Sequence, residues 1–312
     1  MAPHPGTATG AMDRRDPGLG GAGPDRGAGE GGPYPRGVAG RLILCAGPIG
    51  NLGDAAPRLG EALRQATLVY AEDTRRARIL LDHLGVTTPV RSYFVGNEAE
   101  RALELEQRLA AGEVIALLTD AGTPGIADPG LTAVRAAVAA GAVVTAVPGP
   151  SAVTMALAVA GEPADRFVFE GFLPRKGKER SSRVAAIAAE TRTVVFFASP
   201  ERLVADLADL AAQQGGSRPC VVGRELTKLH EEVWRGTLSA AAEHWAGRDR
   251  VRGEVTVVLG AMAAAEPDLD DAVAAAHRLI ATGVAPSDAV RRVAAEKGVA
   301  RRALYERVVT TP

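Results

Sequence analysis

The chain has little cysteine, no long apolar run and almost no net charge, and each shortage closes off a class of function. Its 312 residues hold two cysteines, Cys45 and Cys220, too few for a disulfide framework, and Cys45 sits in an apolar run where a small buried side chain fits. The histidines His4, His83, His230, His244 and His277 are scattered. No cysteine and histidine cluster has metal-ligand spacing, so no metal is expected. No apolar stretch approaches the roughly 18 uninterrupted residues of a membrane span, which predicts a soluble, cytoplasmic protein with no membrane partner. A formal net charge of −1 gives no global pull toward nucleic acid or acidic lipid, so any basic surface has to be local.

What is present is apolar sequence, 46% of the chain, enough for a large core and, at this length, for about two domains. Residues 1–40 are rich in Gly, Pro, Ala, Arg and Asp and lack the apolar core of a signal peptide; they read as a disordered leader. Gly18, Gly20 and Gly23 within it satisfy GxGxxG, but no strand precedes them and no helix follows, so the pattern is composition. From Arg41 onward short aliphatic runs alternate with segments of helical period, which predicts an α/β domain over 41–162. Its strands are read at Leu42 to Ala46, Thr67 to Ala71, Val114 to Thr119 and Val143 to Val147. The last two are almost wholly apolar, as in a parallel sheet covered on both faces. Helices are read at Leu59 to Gln65, Arg75 to Leu84, Ala99 to Ala111, Leu131 to Ala140 and Ala152 to Ala160.

The rhythm breaks at Gly161, Glu162 and Pro163. A second α/β domain over 163–262 is read from strands at Phe167 to Phe169, Thr193 to Ala198, Pro219 to Gly223, Glu232 to Gly236 and Glu254 to Gly260. An Ala- and Glu-rich link follows Met262. The tail, 263–312, has Ser287 as a possible helix N-cap, Ala289 to Glu296, a turn at Gly298 and Val299, and Ala300 to Val308. This order resembles a helix-turn-helix.

Ligands of open parallel sheets bind beyond the carboxyl ends of the strands. Three such loops stand out: Gly47 to Leu52 with Asp54, Thr119 to Pro129 with Asp120 at the strand end, and Pro148 to Ala152 with Ser151 at an N-cap position. Each alone is compatible with an ordinary Gly and Pro turn. Together they place small residues at consecutive strand ends, as a cofactor gripped by backbone requires. None carries the Lys or Arg that a phosphate ligand would want, so a ligand with a positive centre suits Asp120 better.

The blocks GPIGNL, AEDTR (Ala71 to Arg75), TDAGTPGIADPG (Thr119 to Gly130), VPGPSA (Val147 to Ala152), EGFLPRK (Glu170 to Lys176) and RELTK (Arg224 to Lys228) resemble, in that order, the tetrapyrrole methylases. Within that superfamily of class III methyltransferases they are most similar to the branch that acts on small-subunit ribosomal RNA. The resemblance spans about Arg41 to Gly260. It implies two α/β domains with S-adenosylmethionine in the cleft between them, a homodimer, and methylation of the 2′-hydroxyl of a decoding-centre cytidine in ribosomal RNA or the assembled small subunit. It further implies cofactor contacts at Pro48, Asp120, Ala121, Gly122, Ile126, Ser151 and Ala152, with Leu173 lining the pocket from the second domain. The chain departs from the family at Gly47, where Thr is usual before Pro-Ile-Gly-Asn. It departs again over Phe197, Ala198, Ser199, Pro200, Glu201 and Arg202, where Tyr-Glu-Ser-Pro-His-Arg is usual, and at Gly96, Asn97, Glu98, where a His-Asn pair is usual.

A sugar hydroxyl needs help losing its proton. Candidate catalytic residues are Glu72, Asp73, Glu225 and Lys228, although Glu72, Asp73 and Arg75 also read as a capped helix start with an ion pair, and Arg224 with Glu225 as an exposed pair. Local positive charge for RNA is found at Arg175, Lys176, Lys178, Arg180 and Arg183, at Arg224, and in the tail at Arg291, Arg292, Arg301, Arg302 and Arg307. Two other functions fit parts of the chain: methylation of a tetrapyrrole carbon or a protein by the same fold, and a regulator whose tail binds DNA. The second leaves AEDTR and RELTK without a role.

Overall fold

Asp73 and Thr237 as caps and Pro57 and Pro286 at the first helical positions start four of the helices. The computed structural model describes residues 40–214, 216–262 and 269–310. The leader, apart from Gly40, and most of the link after Met262 lie outside the described residues. The first half runs β1 Arg41–Cys45, α1 Pro57–Gln65, β2 Leu68–Ala71, α2 Thr74–His83, β3 Val90–Ser92, α3 Glu98–Ala110, β4 Val114–Leu118, α4 Leu131–Ala139, β5 Val143–Val147 and α5 Ala152–Ala160. The second runs β6 Phe167–Phe172, α6 Gly177–Ala189, β7 Thr193–Ala198, α7 Leu203–Gln214, β8 Pro219–Arg224, β9 Glu232–Thr237, α8 Leu238–Ala246 and β10 Val255–Leu259. The tail holds α9 Leu269–Ala281, α10 Pro286–Lys297 and α11 Arg301–Thr310.

The first sheet is parallel throughout, in the order β3-β2-β4-β1-β5. Strand alternation splits its side chains between two helical layers. Ile43, Cys45, Val69, Ala116 and Leu118 pack with α1 and α2, whereas Leu42, Tyr70, Ile115 and Leu117 pack with α3 and α4. Burial pushes the Cys45 thiol up to about 12, so it is an inert core group. Gly40 belongs to this fold rather than to the leader, since its N–H donates to the Leu109 carbonyl at 3.0 Å. β5 is not buried on both faces as its apolar run predicts. It is an edge strand, and Val143 is half exposed. The three-residue β3 escapes the sequence reading because it is too short to show a period.

The second sheet is mixed, in the order β6-β7-β10-β8-β9, with only β6 and β7 parallel among its pairs. The sequence reading offers no helices here, but α6, α7 and α8 cover one face through Val184, Ile187, Leu207, Leu210, Leu238 and Trp245. The other face is covered by α5, whose Val153, Ala156 and Leu157 pack on Val195, Val221 and Val258. Thus α5 leaves the first sheet at Ser151 and lies on the second. Each fully buried aliphatic side chain in that layer contributes roughly 1.5–3 kcal/mol to holding the halves together.

In the tail, Val273, Val290, Val293, Leu304 and Val308 make a small core shared by α9, α10 and α11. Ser287 is not the cap of α10: Pro286 occupies the first helical position and Ala285 the cap, the usual place for a proline whose missing N–H would be unpaired anyway. Gly298, at φ +67°, ends the helix in the left-handed conformation. Among the described residues no helix is long and apolar enough to cross a membrane.

Candidate functional site

The three glycine-rich loops follow β1, β4 and β5, which are adjacent in the sheet, and backbone bonds tie them together. The Gly47 N–H donates to the Gly122 carbonyl at 2.9 Å and the Ala46 N–H to the Val147 carbonyl at 3.1 Å. Two glycines make this packing possible. A Cβ on Gly149 would lie 2.7 Å from the Ala46 carbonyl oxygen, and one on Gly130, at φ +152°, would lie 2.8 Å from the Gly125 nitrogen. By contrast a Cβ on Gly47 would meet only Leu80 Cδ2 at an ordinary 3.8 Å. Position 47 therefore has room for the larger residue usual in the family.

Between these loops and the second sheet lies a cavity of about 440 Å³, inside the roughly 300–1,000 Å³ range of small-ligand sites. Asp120, Ala121, Gly122 and Ile126 line it from the second loop, Ser151 and Ala152 from the third. Ser151 is the N-cap of α5 by position, yet its side chain makes no capping hydrogen bond. Two expected residues lie off the wall. Pro48 is buried, and its neighbour Ile49 faces the cavity. Leu173 is buried in the core of the second half, and Phe172 takes its place at the cavity. The cause is local: Gly171 has φ +60° and the β6–β7 register shifts between Phe169 and Phe172, a bulge that re-aims side chains. Phe197, Ala198, Ser199 and Pro200, the stretch that departs from the family, close the far side with Gly253, Glu254, Val255 and Thr256.

The cavity is acidic. Among the described residues Glu72, Asp120, Asp128 and Glu254 line it against one guanidinium, Arg76, whose Nη1 is 3.2 Å from Asp120 Oδ2. Asp120 Oδ1 also accepts from the Asp73 N–H at 3.0 Å. Burial, then the charge of Asp120, raises the pKa of Glu72 above the ordinary carboxylate range. Burial, then the charge of Glu72, pushes Asp128 up to about 6, against a hydrogen bond from Thr119.

Asp128 therefore gives the site a pH dependence. The cavity loses negative charge as pH falls through about 6, and affinity for a cationic ligand should weaken several-fold between about pH 7.5 and 5. Titration calorimetry at the two pH values reads this, and Asp128→Asn should flatten the dependence. Stability moves the other way. A carboxyl whose folded pKa is raised stabilises the fold while protonated, and that contribution is lost as pH rises from the unfolded value through about 6.

The remaining sequence candidates separate. Asp73 is a helix cap: Oδ1 accepts from the Arg75 N–H at 2.8 Å, and Arg75 Nη2 pairs with Oδ2 at 3.0 Å. Its bonds to the Arg75 side chain and backbone hold its pKa down at about 2, which leaves it a poor base. Glu225 and Lys228 pair at 2.8 Å, and Lys228 reaches Glu254 at 3.1 Å. Burial acts against both charges, but these bonds outweigh it, lowering the pKa of Glu225 and raising that of Lys228. The Lys228 stem lies where a Cβ of Gly50 would be, so RELTK packs against GPIGNL.

Arg175, Lys176 and Lys178 are exposed and make no ion pair among the described residues. Arg180, expected beside them, is instead buried against Asp206 and Asp209, because the helical repeat turns it toward α7. Arg183 pairs with Glu170 at 2.6 Å. Arg224 is not open to a ligand: it bonds Glu232 at 3.1 Å and the carbonyls of Arg252 and His230 at 3.2 Å each. In the tail Arg291, Arg302 and Arg307 pair with Asp288, Glu306 and Asp270. Asp128, which the second loop contains, and Glu254 and Phe172 belong to the wall without having been expected as site residues. Asp128 carried a visible signal, an acid before proline at the end of a ligand loop, whereas Glu254 reaches the cavity only through the packing of β10.

Comparison with known proteins adds to this geometry. A family model described as Tetrapyrrole (Corrin/Porphyrin) Methylases matches residues 41–242. A protein of Mycobacterium tuberculosis (strain CDC 1551 / Oshkosh) named Ribosomal RNA small subunit methyltransferase I is 47% identical over 274 residues, 87% of this chain and 95% of that one. A protein of the same name from Synechocystis sp. (strain ATCC 27184 / PCC 6803 / Kazusa) is 42% identical, covering 86% of this chain and 96% of its own. Among solved structures, the methyltransferase CobJ superposes with TM-score 0.55 at 22% identity over 72% of this chain and 95% of its own. Uroporphyrin-III C-methyl transferase from Thermus thermophilus, complexed with S-adenyl homocysteine, superposes with TM-score 0.52 at 20% identity over 71% and 97%. At such identities the solved structures speak for the fold.

Proposed function

The chain belongs to the tetrapyrrole methylase family, and from that premise we propose that it transfers a methyl group to a ribose 2′-hydroxyl of small-subunit ribosomal RNA, at a cytidine of the decoding centre. It is an S-adenosylmethionine-dependent methyltransferase. The observation that carries the RNA reading is the extent of likeness to the ribosomal RNA methyltransferases, 42–47% identity over nearly the whole fold, joined to exposed Arg175, Lys176 and Lys178 after β6, which make no ion pair among the described residues.

The residues present fit the cofactor. Four carboxylates against one paired guanidinium suit a sulfonium and oppose a phosphate. Asp120, Ala121, Gly122 and Ile126 would hold it from one side, Ser151 and Ala152 from another, with Ile49 and Phe172 closing the walls. When bound, S-adenosylmethionine supplies an electrophilic methyl group. Glu72 accepts the proton of the attacking hydroxyl, a role its raised pKa favours. Lys228 remains an ammonium beside Glu254 and offsets negative charge at the cleft mouth. Asp73 and Glu225 are positioning groups, the first through α2 and the second through the loop before β10. Arg224 holds that same loop rather than RNA.

The functional units are taken as 41–162 and 163–262, with 263–312 as a helical appendage. Exposed Leu131 and Val138 on α4, Val143 on the edge strand β5, and Met155 and Val159 on α5 are apolar enough to favour a homodimer. The enzyme's place is the cytoplasm, with the ribosomal subunits it modifies.

Small subunits lacking the modification, incubated with the enzyme and methyl-labelled cofactor, should take up label on a ribose, recovered in an alkali-resistant dinucleotide. Reversing the charges of Arg175, Lys176 and Lys178 to Glu should raise KM for subunits about tenfold and leave cofactor affinity unchanged. Label in protein, or in a porphyrinogen offered in parallel and not in RNA, overturns the reading.

A further inference from the structure

A second pocket, about 530 Å³, opens beside the cofactor cleft and shares Pro200 and Gly253 with it. Strand directions place it on the reacting side. In the second sheet β6, β7 and β8 end, and β9 and β10 begin, at one edge. The cleft, this pocket and the exposed Arg175 and Lys176 therefore share that edge.

The lining has a definite chemistry. At the back stands Trp245, fully buried, with an indole N–H that finds no acceptor among the described residues. The Arg248 guanidinium lies 4.2 Å from its ring centroid and is neutralised by Glu232, so it is wall rather than receptor. Arg250 and Arg252 are exposed at the rim and make no ion pair among the described residues. Glu201 and Asp249 line the same pocket. Two carboxylates make it a poor home for a bare phosphate. A nucleotide suits both signs of charge: arginine takes the phosphate, and a carboxylate accepts from a base amino group.

The partition between pocket and cleft is held firmly. Glu225 and Glu254 exchange two hydrogen bonds, Glu225 N–H to the Glu254 carbonyl at 2.8 Å and Glu254 N–H to Glu225 Oε1 at 2.9 Å. Arg224 fastens the Arg252 carbonyl at 3.2 Å. Gly253, at φ +89°, leaves no room for a Cβ beside the Glu225 carboxyl. A receptor held this way loses little freedom on binding.

We propose that this pocket seats a nucleotide next to the one that is methylated, its phosphate on Arg250 and Arg252 and the amino edge of its base on Glu201 or Asp249. Single-stranded RNA is read through splayed bases of this kind. The proposal rests on ribosomal RNA being the substrate, and the parent enzyme's own labelling of subunits tests that separately.

The test is steady-state methyl transfer to purified small subunits over a range of salt, using the full chain. The R250E/R252E double variant should raise KM for subunits at least about tenfold and reduce the slope of log KM against log salt by about 1–2, with kcat, cofactor affinity and melting temperature kept. Glu201→Gln with Asp249→Asn should raise KM several-fold and leave the salt slope alone. Arg64→Glu, at the C-terminal end of α1 and so at the opposite edge of its sheet, should change neither KM nor the salt slope. Unchanged KM and slope in the double variant, with a parent that labels RNA, overturns the pocket. A parent that labels no RNA overturns the ribosomal reading and the pocket with it.

Discussion

Glu72→Gln is expected to slow methyl transfer about 10²–10⁴-fold, while cofactor affinity, read by calorimetry, stays within a few-fold. Of the four groups placed near the chemistry by sequence, Glu72 alone combines a position on the cavity wall with a raised pKa. Its Oε2 receives the Asp120 N–H at a long 3.5 Å, so it is only weakly held as a carboxylate. Asp73 is occupied by the start of α2, and Glu225 by Lys228 and the β10 loop. A second readout separates catalysis from charge. Without the Glu72 charge, Asp128 should titrate lower, so the acidic limb of the pH–affinity profile moves down. A variant that keeps its rate at neutral pH excludes Glu72 as the base.

Arg180→Ala should cost about 3–5 kcal/mol of stability, a fall in melting temperature on the order of 10 °C. Arg180 is 9% exposed and its partner Asp206 4%, at 2.8 Å; the same guanidinium binds Asp209 at 2.6 Å and the Pro174 carbonyl at 3.0 Å. Removing it strands Asp206 in a site where burial already raises its pKa. Arg202, 4.0 Å from Asp206, offsets part of the loss, so the lower end of the range is expected. Arg180→Met with Asp206→Leu should recover most of the stability, because no charge is then left buried. Thermal melts of the single and double variants check both statements. A single variant that melts with the parent would mean that Asp206 finds water.

The pairings that make Arg180 structural span 29 residues to Asp209, and nothing local in EGFLPRK announces them. The blocks around it were nonetheless legible. Short apolar runs located most of the strands because burial imposes a period on the sequence. The glycines at 122, 130 and 149 marked loops where backbone approaches backbone. The acidic, lysine-free character of those loops already favoured a positively charged ligand, and the ordered blocks pointed to the family.

What sequence could not decide was direction and partnership. Asp73 read equally as a cap and as a base, since both need an acid at a strand end, and the Arg75 N–H decided it. Phe172 rather than Leu173 reached the cavity because Gly171 shifts the β6 register. Arg224 was taken from solvent by two carbonyls and Glu232, and α5 packed against the sheet that follows it. By itself, then, the sequence determined the alternation of elements, the ligand loops and the methyltransferase family, all written in local patterns. The tertiary structure alone decided which charged groups remain free and which carboxylates share one cavity. Those properties depend on contacts between residues far apart in the chain, where burial shifts a pKa and a partner neutralises a charge.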